Sequence, residues 1–195
     1  SVWSSIIRTA LHKIDNNKTE DRSWQPNIIL FSGASEKRPH LVEFGKNLVG
    51  KFGVLSNFDL IENKSSNFLF SRQEQSLDND NNDKGIFYRK QSCKDLYDGI
   101  EIIASTYGFS GIEPNTVLMG WASQSKNPKR FANLIMRLYE LDLNIVLMDY
   151  DKRYGFGDKN SIDIWWRDEG QNNNLSLFLA KFLICLLYTS PSPRD

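Results

Sequence analysis

The stretch GFSGIEPNTVLMGWASQS, residues 108–125, sets two glycines, a proline and an asparagine ahead of an apolar run, then breaks at a Gly-Trp pair. Its centre, TVLMGW (116–121), decides the fold. Val117, Leu118 and Met119 are apolar in succession, so both faces of such a strand are expected to be buried, as in a parallel sheet covered by helices on each side. Gly108 and Gly111 permit left-handed turns that stop a helix and redirect the chain, Pro114 stiffens the approach, and Asn115 is expected to close the turn through its side chain. Gly120 lets the backbone leave the strand sharply, and Trp121 can cover the strand end with a large amphipathic ring. On its residues alone the stretch is a structural corner first and a site second.

Working outward, two periods alternate. IILF (28–31), VLSNFDLI (54–61), GIFYRK (85–90), NIVLMD (144–149) and IDIWWR (162–167) read as further strands. Between them apolar residues recur at three- and four-residue steps. Trp3, Ile6, Ile7, Ala10, Leu11 and Ile14 mark an opening helix, and Leu41, Phe44, Leu48 and Phe52 a second that begins at Pro39 and ends near Gly53. Cys93, Leu96, Tyr97, Ile100, Ile103, Ala104 and Tyr107 form a third stripe stopped by Gly108. Pro128 opens a fourth with Phe131, Leu134, Ile135 and Leu138, and LSLFLAKFLIC (175–185) is an apolar helix. Alternating strands and helices predict an α/β fold: a mainly parallel open sheet with helices on both faces.

Length and charge narrow the function. The chain has 195 residues, enough for one domain with a proper core. With 24 basic and 24 acidic residues it carries no net field to draw in nucleic acid or an anionic membrane. Two cysteines far apart, Cys93 and Cys185, and no secretory signal point to a reducing, cytosolic setting. No run reaches the roughly 18 to 20 apolar residues that span a bilayer. The predicted organisation is a connecting helix over 1–22, a domain over 23–185, and a tail. Residues 62–84, polar around NDNND, are expected to form a long, partly disordered surface loop. The tail, 186–195, contains TSPSPRD and resembles translated adapter sequence, so the natural chain is expected to continue differently past Cys185.

Several patterns imitate catalytic or metal chemistry. GKNLVGKF (45–52) has the glycine and lysine spacing of a phosphate-binding loop, but Phe52 stands where a Ser or Thr would hold magnesium, and the motif lies within a helical stripe. DNDNNDKG (78–85) suggests a calcium loop until Asp83 is found at the turn glycine and Arg89 at the bidentate glutamate. His12 and His40 have no Cys, Asp or second His at ligand spacing, so no metal site is expected. No nucleophile elbow occurs and no Ser or Cys is paired with a base, so no catalytic residue and no enzymatic activity are expected. Asp163 is a candidate buried carboxylate, although such a residue more often pins a loop. In open parallel sheets ligands gather at the carboxyl ends of strands, which singles out Ser32–Arg38, Gly120–Ser125 and Tyr150–Lys159. A nucleotide, ATP or ADP, would sit across Ser32, Gly33, Ser35, Gly120, Trp121, Ala122 and Ser123.

Three blocks in order resemble the cytosolic C-terminal domain of the cation-chloride cotransporters. They are SWQPNIILFSGASEKRPHLVEFGKNL (23–48), GFSGIEPNTVLMGWASQS (108–125) and SIDIWWRDEGQNNNLSLFLAKFL (161–183). In that family a W-x-P precedes the first strand, a G-L-G-x-x-x-P-N-T-x-x-x-G-[WF] block follows, and I-D-[IV]-[WY]-W leads into a leucine-rich helix. Here Phe109 and Ser110 replace the usual Leu and Gly. The resemblance implies a universal-stress-protein-like fold and the regulatory, dimerising domain of a sodium- and/or potassium-chloride symporter. Its partners would be its own transmembrane transport domain and a second copy, and it would lie on the cytoplasmic side; some members bind nucleotide. The alternative is a free-standing nucleotide-binding protein of the stress-protein type, for which GWASQS (120–125) supplies one glycine and some hydroxyls.

Overall fold

The structure is a computed structural model and describes residues 4–6, 9, 24–33, 35–50, 53–63, 70–72, 86–109, 112–121, 127–157, 161–165 and 170–187. Of the expected opening helix, residues 4–6 and 9 are described and helical, with Ile6 half exposed. The rest of that stripe, Trp3, Ile7, Ala10, Leu11 and Ile14, lies outside the described residues, as does the calcium-like loop 78–85.

Among the described residues six strands form one sheet: β1 (Asn27–Phe31), β2 (Val54–Glu62), β3 (Phe70–Arg72), β4 (Ile86–Cys93), β5 (Thr116–Gly120) and β6 (Asn144–Met148). Their order is β3-β4-β2-β1-β5-β6, parallel except for β3, which runs antiparallel to β4 at the edge. Among the described residues, α-helices of eleven residues or more accompany them: α1 (Pro39–Val49), α2 (Leu96–Thr106), α3 (Pro128–Glu140) and α4 (Gln171–Leu187). α1 and α3 begin with Pro39 and Pro128, whose fixed φ suits a first turn and whose missing N–H costs nothing there. Asp95 caps α2 by accepting from the Tyr97 and Asp98 amides, and Asn127 caps α3 by accepting from the Arg130 amide.

The successive apolar residues of each strand feed two cores. Ile28, Leu30, Leu55 and Leu118 pack with Leu41, Val42, Leu48 and Val49 of α1 on one face, where Leu179 and Leu183 of α4 also lie. Ile29, Phe31, Phe58, Leu60, Val117 and Met119 pack with Ile100 and Ile103 of α2 and Leu134 and Leu138 of α3 on the other. The alternation in β5 is what the run TVLMG predicts, with Val117 and Leu118 both 0% exposed on opposite faces. The phosphate-loop imitation resolves as packing. A Cβ on Gly45 would stand 3.1 Å from Leu55 Cδ1 and 3.3 Å from Leu118 Cδ2, so the glycine lets α1 sit close to the sheet, and Gly50 caps the helix.

Four expectations need correcting. The described part of IDIWWR, Ile162 to Trp165, is no strand: these residues are exposed and join no ladder, Trp165 at 94% exposure, because β-branched and aromatic composition suits a sheet surface but does not supply a pairing partner; residues 166 and 167 lie outside the described residues. Asp163 is accordingly an exposed carboxylate, not a buried one. Cys93 ends β4 instead of starting a helix, since the ladder with β2 continues to the pair Glu62 and Cys93 and overrides the helical spacing. Within the expected loop 62–84, Glu62 ends β2 and Phe70–Arg72 add the short edge strand β3.

Candidate functional site

Asn115 does more than close a turn. Its Oδ1 accepts from the Asn27 amide at 3.0 Å and from Thr116 Oγ1 at 2.9 Å, and its Nδ2 donates to the Gln25 carbonyl at 2.8 Å. Its own amide donates to the Asn27 carbonyl, while its carbonyl accepts from the Asn144 amide and from Asn144 Nδ2. One residue therefore stitches the starts of β1, β5 and β6. Gly108 prepares this corner: its φ is +138°, and a Cβ there would come within 2.9 Å of Pro114 Cδ. Trp24 lies 5.9 Å, centroid to centroid, from Phe178 of α4. These contacts gather at the amino ends of the strands.

The opposite end carries the ligand-type geometry. β1 is followed by α1 on one face, and its neighbour β5 by α3 on the other, so the carboxyl ends of β1 and β5 form the topological switch point of the sheet. Of the expected nucleotide residues, Ser32, Gly33, Ser35, Gly120 and Trp121 are placed around this switch point; Ala122 and Ser123 lie outside the described residues. Ser32 is fully buried. Arg38 Nη1 stands 3.8 Å from the position of a Cβ on Gly33 and 3.3 Å from one on Gly120, so its guanidinium spans both strand ends. Trp121 is half exposed, packs edge-on to Phe131 and donates its amide to the Met148 carbonyl at 2.7 Å.

The residue that sequence reading missed is Asp59. Ser32 Oγ donates to its Oδ1, the Ser35 amide donates to both carboxylate oxygens at 3.0 and 3.2 Å, and Ser35 Oγ donates to Oδ2 at 2.8 Å. The register explains the meeting: Leu30 pairs with Asn57, and two residues further on Ser32 and Asp59 share the same face. The one carboxylate in the strand run VLSNFDLI (54–61) is the available signal. Asn57, two residues before it and 1% exposed, has neither amide atom hydrogen-bonded.

On the α1 side, His40 stacks on Tyr150 at 4.0 Å and an interplanar angle of 3°, and Tyr150 packs against Phe156, which stacks on Phe44. This aromatic series fastens the segment after β6 to α1. Burial, then the charges of Arg38 and Lys152, hold the His40 pKa below its usual 6.5. Among the described residues no three His, Cys, Asp or Glu side chains come together as a metal site.

The fold is shared with a transporter domain. The crystal structure of the cytoplasmic domain of a prokaryotic cation chloride cotransporter superposes with a TM-score of 0.58, covering 86% of this chain at 16% identity. At that identity the likeness concerns architecture, an open, mainly parallel α/β sheet. The match covers 64% of that chain, so this sequence spans less than two thirds of its structural neighbour. No family model matches the chain. No helix among the described residues is long and apolar enough to cross a membrane.

Proposed function

We propose that the chain is a cytosolic regulatory domain of a chloride-coupled symporter for sodium, potassium or both, acting by association with its own transmembrane domain and with a second copy. The supporting observation is spatial. The three sequence blocks that resemble the cotransporter domain are far apart in the chain, yet they touch: Asn115 of the second bonds Gln25 and Asn27 of the first, and Trp24 of the first packs on Phe178 of the third. Residues that lock three segments into one corner have a reason to occur together. The fold likeness to a cotransporter's cytoplasmic domain supports the same reading. Leu177, Phe178 and Ile184 of α4 leave apolar surface exposed, which suits a domain that works against a partner.

Such a domain needs no catalytic group, and its effect would be read in flux. Deleting the region corresponding to residues 23–185 from the full-length transporter should reduce chloride-dependent rubidium uptake, at equal surface expression. Unchanged uptake would remove the regulatory role. Light scattering of the complete cytosolic domain addresses the second copy: a mass of two protomers is expected, and a strict monomer at high concentration contradicts it.

A further inference from the structure

The anion cradle at the first turn is already occupied from within. A phosphate entering between β1 and α1 would need the donors nearest the strand end: the Ser35 amide, Ser35 Oγ and Ser32 Oγ. All three donate to the Asp59 carboxylate. An incoming phosphate would find those donors taken and a fixed negative charge among them, which repels it at close range. Arg38 Nη1 stands beside Gly33 and Gly120 and, as a cation, would by itself draw a phosphate to this end, so the exclusion rests on the Asp59 carboxylate.

We propose that Asp59 is a specificity-determining residue that shuts the first turn of this fold to phosphate-bearing ligands, so that nucleoside triphosphates have no site across Ser32, Gly33 and Ser35. The inference rests on these contacts and not on membership of a transporter.

The test is a backbone-amide NMR titration of the 195-residue chain with ATP and, separately, with inorganic tripolyphosphate. In the wild-type chain the Gly33 and Ser35 signals should stay in place up to millimolar ligand; shifts confined to other residues agree with a closed turn. Asp59→Ala frees the three donors and should bind tripolyphosphate at least about tenfold more tightly than wild type, with shifts at Gly33 and Ser35. Asp59→Asn keeps the shape, guards against loss of folding, and should gain affinity in the same direction. Saturable wild-type shifts at Gly33 and Ser35 below millimolar ATP overturn the proposal whatever the variants do. So do folded variants, judged by dispersed spectra, that bind no more tightly than wild type.

Discussion

Replacing Asn115 by Ala isolates the stitch at the amino ends of the strands. The change leaves its three main-chain bonds to Asn27 and Asn144 in place and removes three side-chain bonds, from the Asn27 amide, to the Gln25 carbonyl and from Thr116 Oγ1. A net hydrogen bond in a folded protein is worth about 1 kcal/mol, so the expected loss is about 3 kcal/mol. In a chain of this size that lowers the melting temperature by about 6 to 12 °C. Asn115→Asp should lose less if acceptance from Asn27 and Thr116 dominates, because the carboxylate still accepts both. It should lose as much or more if donation to Gln25 dominates, since a carboxylate would then face a carbonyl oxygen. Urea melts followed by far-UV circular dichroism, with the slope checked for constancy, give the values. A loss under about 0.5 kcal/mol for the Ala variant would show that these bonds are replaced by water without penalty, and the stitch would cease to explain the motif.

Three other outcomes are open to the same melts. Leu118→Ala, at a site 0% exposed between α1 and the sheet, should cost about 2 to 5 kcal/mol, and a loss below about 1 kcal/mol contradicts the burial of β5. Asn57→Leu should stabilise the chain by about 1 to 3 kcal/mol by removing two buried polar atoms that have no partner; destabilisation would mean that water or a rotated amide satisfies them. Hydrogen bonding from Arg130 holds the Asp95 carboxyl below its ordinary 3.8, so its contribution is present above that pH and is lost as pH falls through the lower folded-state value. Arg130→Ala should therefore flatten the acid limb of stability below about pH 4, and an unchanged limb excludes the pair as its source.

The sequence by itself determined the class of fold, because burial on both faces writes a local signature. Runs such as IILF (28–31) and VLM (117–119) are apolar on consecutive positions, and a sheet covered on both sides hides them. Pro39 and Pro128 likewise marked helix starts through covalent geometry that no neighbour can alter. What depended on pairing was not legible locally. Cys93 fits a helical stripe until its ladder with Glu62 claims it, and IDIW (162–165) has the composition of a strand but no pairing partner among the described residues. Asp59 was the largest omission, since nothing near it in sequence needs a carboxylate; its donors arrive from 24 and 27 residues away. Asn115 reads as a turn residue because a turn is the local use of its amide, whereas its bond to Gln25 spans 90 positions. Side-chain hydrogen bonds leave no period in a sequence. They are fixed only when the register of the sheet sets β1 between β2 and β5, and that register decides both which residues lock the corner and which carboxylate fills the cradle.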